Sequence, residues 1–206
     1  MIYYSDLFKD PRFKRATILG LMLSFFSQFT GAYAFLFFSN TLFEDVTVLN
    51  SDWITTALAV FNLIGTTAVL KLVDYYGRRS LLLFGSFTIA IVLNVAGILT
   101  LMVGSDFDEY ILVLLILVYI FLFSISFGPI SWVYAAEIME DKGLGLFSSF
   151  NWFYLLVISI AMPFVITAIT DDQERVFMKN TGYIYIFFAN VTFISFFYLL
   201  LNLKET

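Results

Sequence analysis

Uncharged polar and aromatic side chains recur inside long apolar runs: Ser27, Gln28, Thr30 and Tyr33, then Asn62, Asn94, Ser124, Ser126, Trp132, Asn151 and Trp152. An amide offers both a donor and an acceptor, and an indole offers a flat apolar face with one N–H, so such a set suits a neutral ligand rich in hydroxyls. The competing account is that Ser, Thr and Asn in membrane helices bond across to neighbours, and it is the better one for any single residue. Gln28 and Asn62 stand apart because both fall near the middle of their runs. The chain has no His and no Cys, no acid or base inside an apolar run, no phosphate loop and no metal-ligand cluster. These absences argue for a non-enzyme without cofactor or metal.

The elements that must position these groups are membrane spans. Of 206 residues, 61% are hydrophobic, 20% aromatic and only 13% charged, far from the balance of a soluble domain. Charge disappears between Arg15 and Glu44, Asp52 and Lys71, Arg79 and Asp106, Glu109 and Glu137, Lys142 and Asp171, and Lys179 and Lys204. Each gap can cross a core that needs about 20 apolar residues. Six spans follow, at about 17–40, 53–71, 81–103, 110–135, 145–169 and 182–203. The gaps are apolar all round and lack the alternation of a β-barrel, so the expectation is one all-α bundle of short-looped, antiparallel neighbours. The opening "MIYYSDLFKDPRFKR" carries acids and no apolar core, unlike a cleaved signal peptide.

Charge placement sets an expected orientation. With the N-terminus cytoplasmic, Lys9, Arg12, Lys14, Arg15, Lys71, Arg78, Arg79, Lys142 and Lys204 all fall inside, leaving Arg175 and Lys179 outside. The positive-inside rule then favours both termini in the cytoplasm. The opposite loops hold Glu44, Asp45, Asp52, Asp106, Asp108, Glu109, Asp171, Asp172 and Glu174. The sequon at Asn190 lies within the last span and should be unused. No block of like charge suggests nucleic acid.

Six spans divide naturally as three plus three, and an odd number per unit makes the triplets inverted in the membrane. The first and fourth spans share a signal. "QFTGAYAF" and "SFGPISW" each put Gly beside polar and aromatic residues where a continuous helix would prefer Leu or Ala. Interrupted helices at corresponding places in two repeats point to a substrate site. Close helix packing at Gly31 and Gly128 is the plainer alternative. A second stretch, "VDYYGRRS", builds a tight turn on Gly77 between two spans, with Asp74 on one side and Arg78 and Arg79 on the other.

Together these stretches resemble one family. "DYYGRRS" is similar to the D/E-R-x-G-R-R loop, "GPISWVYAAEI" to G-P-x-x-W-x-x-x-[AS]-E-[IL], and "SQFTGAYAFLFFS" to Q-Q-x-[ST]-G-[IV]-N-x-x-x-Y-Y-[AS], all of the sugar porter family of the major facilitator superfamily. They occur in the family's order and at matching distances, and "NLKET" resembles the start of P-E-T-K-G. The resemblance spans essentially the whole chain but only spans seven to twelve of a family member. It implies the C-terminal six-helix half of a major facilitator fold, working with a missing N-terminal half to move a sugar or related polyol by alternating access.

The resemblance also assigns roles. Ser27, Gln28, Tyr33, Asn62, Ser124 and Trp132 would contact substrate, with Pro129 bending the fourth span so that Trp132 reaches the sugar. Asp74, Arg78, Arg79 and Glu137 would form one charge cluster closing the inner gate, and Phe37 and Phe38 would stand at the outer one. The chain departs from the family pattern at several of these positions. Ser27 replaces the first of two glutamines, Tyr33 replaces an asparagine, and Phe37 and Phe38 lack the tyrosine hydroxyls. Ser124 stands where some glucose facilitators carry an acid, and Tyr75 replaces an arginine. A non-transporting truncated relative, serving as a sensor or membrane interaction module, is the alternative expectation.

Overall fold

The structure, a computed structural model, describes residues 4–44, 51–102, 106–169 and 174–204. Among them it contains helices and no strand. In chain order these are α1 (Asp6–Lys9), α2 (Pro11–Phe29), α3 (Ala32–Glu44), α4 (Ser51–Tyr76), α5 (Arg78–Met102), α6 (Asp106–Ser124), α7 (Phe127–Ile138), α8 (Asp141–Ile169) and α9 (Glu174–Asn202). Two pairs, α2–α3 and α6–α7, each continue one crossing through an interruption. The result is six spans long and apolar enough to cross a membrane.

The helices overrun the charge-free segments at the basic end. α2 begins at Pro11, α4 ends at Tyr76, α7 ends at Ile138 and α8 starts at Asp141. The reason is physical: absence of charge measures the hydrocarbon thickness, whereas a helix continues into the headgroup layer with charged side chains attached. Local signals set the actual ends. Asp10 accepts the Arg12 backbone N–H at 2.9 Å and Pro11 fills the first helical position, where its missing donor costs nothing. Gly77, at φ +75°, makes the one-residue turn from α4 into α5.

Packing is closest where small residues let backbones meet, as expected when lipid supplies no hydrophobic force between helices. α5 and α9 form the most extensive pair. A Cβ at Gly182 would stand only 2.9 Å from the Gly97 carbonyl oxygen, and one at Gly97 would stand 3.0 Å from that of Gly182. α2 lies on α8 and α4 on α6, where Gly65 rests against Ser124. Leu23, Phe35, Leu93, Ile116 and Tyr119 are fully enclosed in the shared core. α4 and α8 are the least buried spans.

One end of the bundle is tied by several contacts. α1 tucks Leu7 beside Gly143 at the start of α8, and the Lys142 ammonium sits 5.4 Å from the Tyr4 ring. The Tyr134 hydroxyl of α7 donates to the Lys204 carbonyl oxygen at 2.9 Å. Of the opposite loops, Asp45, Asp171 and Asp172 lie outside the described residues, as do Glu205 and Thr206.

Candidate functional site

Both interruptions arise from local chemistry. Gly31 adopts φ +84°, a conformation that L-residues avoid, and this stops α2 after Phe29. The backbone groups released there find other partners. Gly31 N–H donates to the Gln28 carbonyl at 3.1 Å, the Thr30 hydroxyl to the Ser27 carbonyl at 2.8 Å, and the Tyr119 hydroxyl of α6 to the Thr30 carbonyl at 2.8 Å. In the fourth span the helix stops at Ile125–Ser126, with Ser126 at φ −131°, ψ −96°. The Ser124 and Ser126 hydroxyls fold back onto the Ile120 and Leu122 carbonyls at 2.7 and 2.6 Å. Non-helical backbone survives at membrane depth only when satisfied in this way.

Pro129 is not where the helix bends. It is the third residue of α7, within the first turn, where its ring is tolerated because a backbone N–H there has no intrahelical partner. The interruption precedes it by three to four residues and belongs to the serines.

Beside the first interruption lies a buried amide pair. Gln28 is 2% exposed and donates from Nε2 to Asn151 Oδ1 of α8 at 3.0 Å, while its own Oε1 is buried without a partner. One helical turn earlier on α8, Phe147 makes a T-shaped contact with Trp132 at 5.1 Å between ring centroids. On the other flank Tyr33 packs edge-on against Phe123 at 5.7 Å, next to Ser124, which rests against Gly65 of α4. Asn62 lies three residues before Gly65 and is half-buried. Contacts thus run from Trp132 through α8 to Gln28, and from Tyr33 through α6 to α4. Ser27 is buried at the interruption itself, Phe37 is exposed 6.1 Å from the Tyr33 ring, and Phe38 packs on the core.

Tyr119 and the pairing of Asn151 with Gln28 were not assigned from the sequence. A tyrosine and a second amide deep in charge-free runs were the available signals, since each needs a buried partner.

At the tied end, Arg78 and Glu137 form an ion pair in which Nη2 at 2.8 Å and Nε at 3.0 Å both reach the one oxygen Oε1, with both side chains about a third exposed. Of the four charges expected to cluster, these two meet. Asp74 is exposed and, like Arg79, makes no ion pair among the described residues. The Arg79 Nε is buried and unpartnered.

The whole chain, residues 1–206, matches the family described as "Sugar (and other) transporter". The chain belongs to that family. It is a member of the sugar porters of the major facilitator superfamily, and an integral, multi-pass membrane protein. Among relatives, it is 29% identical over 179 residues to the probable glucose transporter rco-3 of Neurospora crassa, covering 84% of this chain and 30% of that one. It is 29% identical over 161 residues to the galactose-proton symporter of Escherichia coli strain K12, covering 74% and 35%. A crystal structure of a double-tryptophan mutant of XylE superposes with a TM-score of 0.76 at 22% identity, over 93% of this chain and 40% of that one. The family member described here therefore spans about a third of the length of these curated relatives.

Proposed function

We propose that the chain carries a sugar or related polyol across a membrane by alternating access, as one six-span half of a transporter. The carrying observation is the Gln28–Asn151 pair, buried beside an interrupted span with one amide oxygen left open. An unsatisfied buried acceptor costs about 1–3 kcal/mol, and a hydroxyl donor would recover that cost on binding. The names of the matched relatives support the substrate class.

In this reading Gln28, Asn62 and Trp132 contact the ligand directly, with Ser27, Tyr33 and Ser124 beside them. Trp132 would leave Phe147 or offer its open face. Arg78 and Glu137 hold the basic end closed, while Asp74 and Arg79 await partners on a second six-span half that packs on the exposed faces of α4 and α8. Phe37 and Phe38 close the opposite end by apolar contact alone. Both termini lie in the cytoplasm, as the distribution of Lys and Arg favours.

The test is uptake by the full-length protein in proteoliposomes against a panel of hexoses, pentoses and polyols. Saturable, stereoselective uptake of at least one is expected. Uptake of none, in protein that is folded and correctly inserted, would overturn the reading.

A further inference from the structure

A groove of about 390 Å³ opens where the start of α2 meets the end of α9, and neither Gln28 nor Asn151 lines it. Exposed Lys14 and Arg15 line it together with the apolar Ile18 and Leu19, the ring of Tyr198, and Asn202. Neither cation makes an ion pair among the described residues, and no acid lines the groove. Asn202 spends its amide N–H on the Tyr198 carbonyl at 2.9 Å, which leaves its oxygen to accept from a ligand hydroxyl or amine. Arg15 is the last charge before the apolar run of the first span, so the groove sits at the boundary between headgroups and hydrocarbon.

We propose that this groove binds an anionic phospholipid, with Lys14 and Arg15 holding its phosphate and the Ile18, Leu19 and Tyr198 side chains receiving the first carbons of its acyl chain. Paired cations beside an apolar lining fit an amphiphile, whereas a free phosphate would have no use for the lining. Basic pockets between membrane helices recognise headgroups by this combination. The volume falls within the range of small-ligand sites, about 300–1,000 Å³. Because α2 leads directly to Gly31, a lipid seated here bears on the helix that carries Gln28.

The test uses the full chain in phosphatidylcholine nanodiscs supplemented with phosphatidylglycerol, with retained lipid read by native mass spectrometry. The double variant K14Q/R15Q should lower retention of phosphatidylglycerol on the order of tenfold or more, as expected for losing two near-surface cations. K9Q/R12Q removes the same charge from the same end outside the groove and should lower retention several-fold less than K14Q/R15Q does. Equal loss in both variants would reduce the effect to diffuse surface potential and overturn the site. Displacement of the lipid by inorganic phosphate alone would make it a soluble-anion site and overturn the lipid assignment. If K14Q/R15Q does not fold, a photoreactive phosphatidylglycerol on the unaltered chain decides: adducts concentrated between Tyr198 and Asn202 are expected, and adducts spread over all spans refute the groove.

Discussion

At the residue scale, the amide pair and the ion pair make opposite demands on an experiment. Gln28→Ala removes the open acceptor together with the donor to Asn151, and each lost hydrogen bond is worth about 1 kcal/mol. On the proposed function, the half-saturation concentration for sugar uptake by the full-length protein should therefore rise several-fold, while Asn151→Ala should raise it less if Gln28 is the direct contact. Uptake measured against substrate concentration checks both, and unchanged values would move the ligand away from this pair. The Arg78–Glu137 bridge is partly exposed, and pairs of that kind contribute only about 0–1 kcal/mol to stability. Glu137→Gln should leave the melting temperature in detergent nearly unchanged. Even so, a bias of about 1.4 kcal/mol changes a two-state population ratio tenfold. The same variant should thus increase maleimide labelling of a cysteine placed between the Gln28–Asn151 pair and the basic end, against a chain that has no native cysteine to confuse the signal. Labelling that stays flat would confine this bridge to anchoring.

At the element scale, the two glycines singled out by their neighbours behave differently. Gly31 sits at φ +84° with the Phe188 ring where a Cβ would go, whereas Gly128 has ordinary helical backbone and its nearest neighbour to an added Cβ is 3.4 Å away. Gly31→Ala should cost about 1–3 kcal/mol, and Gly128→Ala should be close to neutral, by melting in the same detergent. Gly182→Ala should resemble Gly31→Ala, since a backbone carbonyl cannot step aside for the new methyl. The six spans were legible because desolvation of charge is so expensive that the gaps mark the bilayer directly. The interruptions were legible as glycine-and-hydroxyl clusters, the first of them in place at Gly31, but the position of the second was not. The proline attracted the bend in the reading of the fourth span, while the break is held by Ser126, whose N–H turns to the Phe123 carbonyl and whose hydroxyl captures the Leu122 carbonyl so freed. α1 escaped notice because four residues with one apolar contact leave no periodic pattern. The partnership of Gln28 with Asn151 escaped because residues 123 apart meet only through the packing of α2 on α8.

At the scale of the whole molecule, the tied end joins the turn between α4 and α5, the start of α8, the N-terminal α1 and the last residues of the chain. Cysteines introduced at exposed Tyr76 and Glu140 should therefore react with an impermeant maleimide from one side of the membrane, and one at Met102 from the other. Sealed right-side-out vesicles test this, with the first two protected until the vesicles are opened. Reaction of the first pair before opening would reverse the proposed orientation. The interruption at Gly31 divides the first span into a part anchored to that end and a second part, α3, that packs on α4 and buries Phe35 in the core. A helix rises about 1.5 Å per residue, so the 13 residues of α3 make a lever about 20 Å long, and a rotation of about 15° at the pivot sweeps its tip about 5 Å. Any such rotation must draw Phe35 off the Tyr185 ring, 5.1 Å away between centroids, or carry Tyr185 with it.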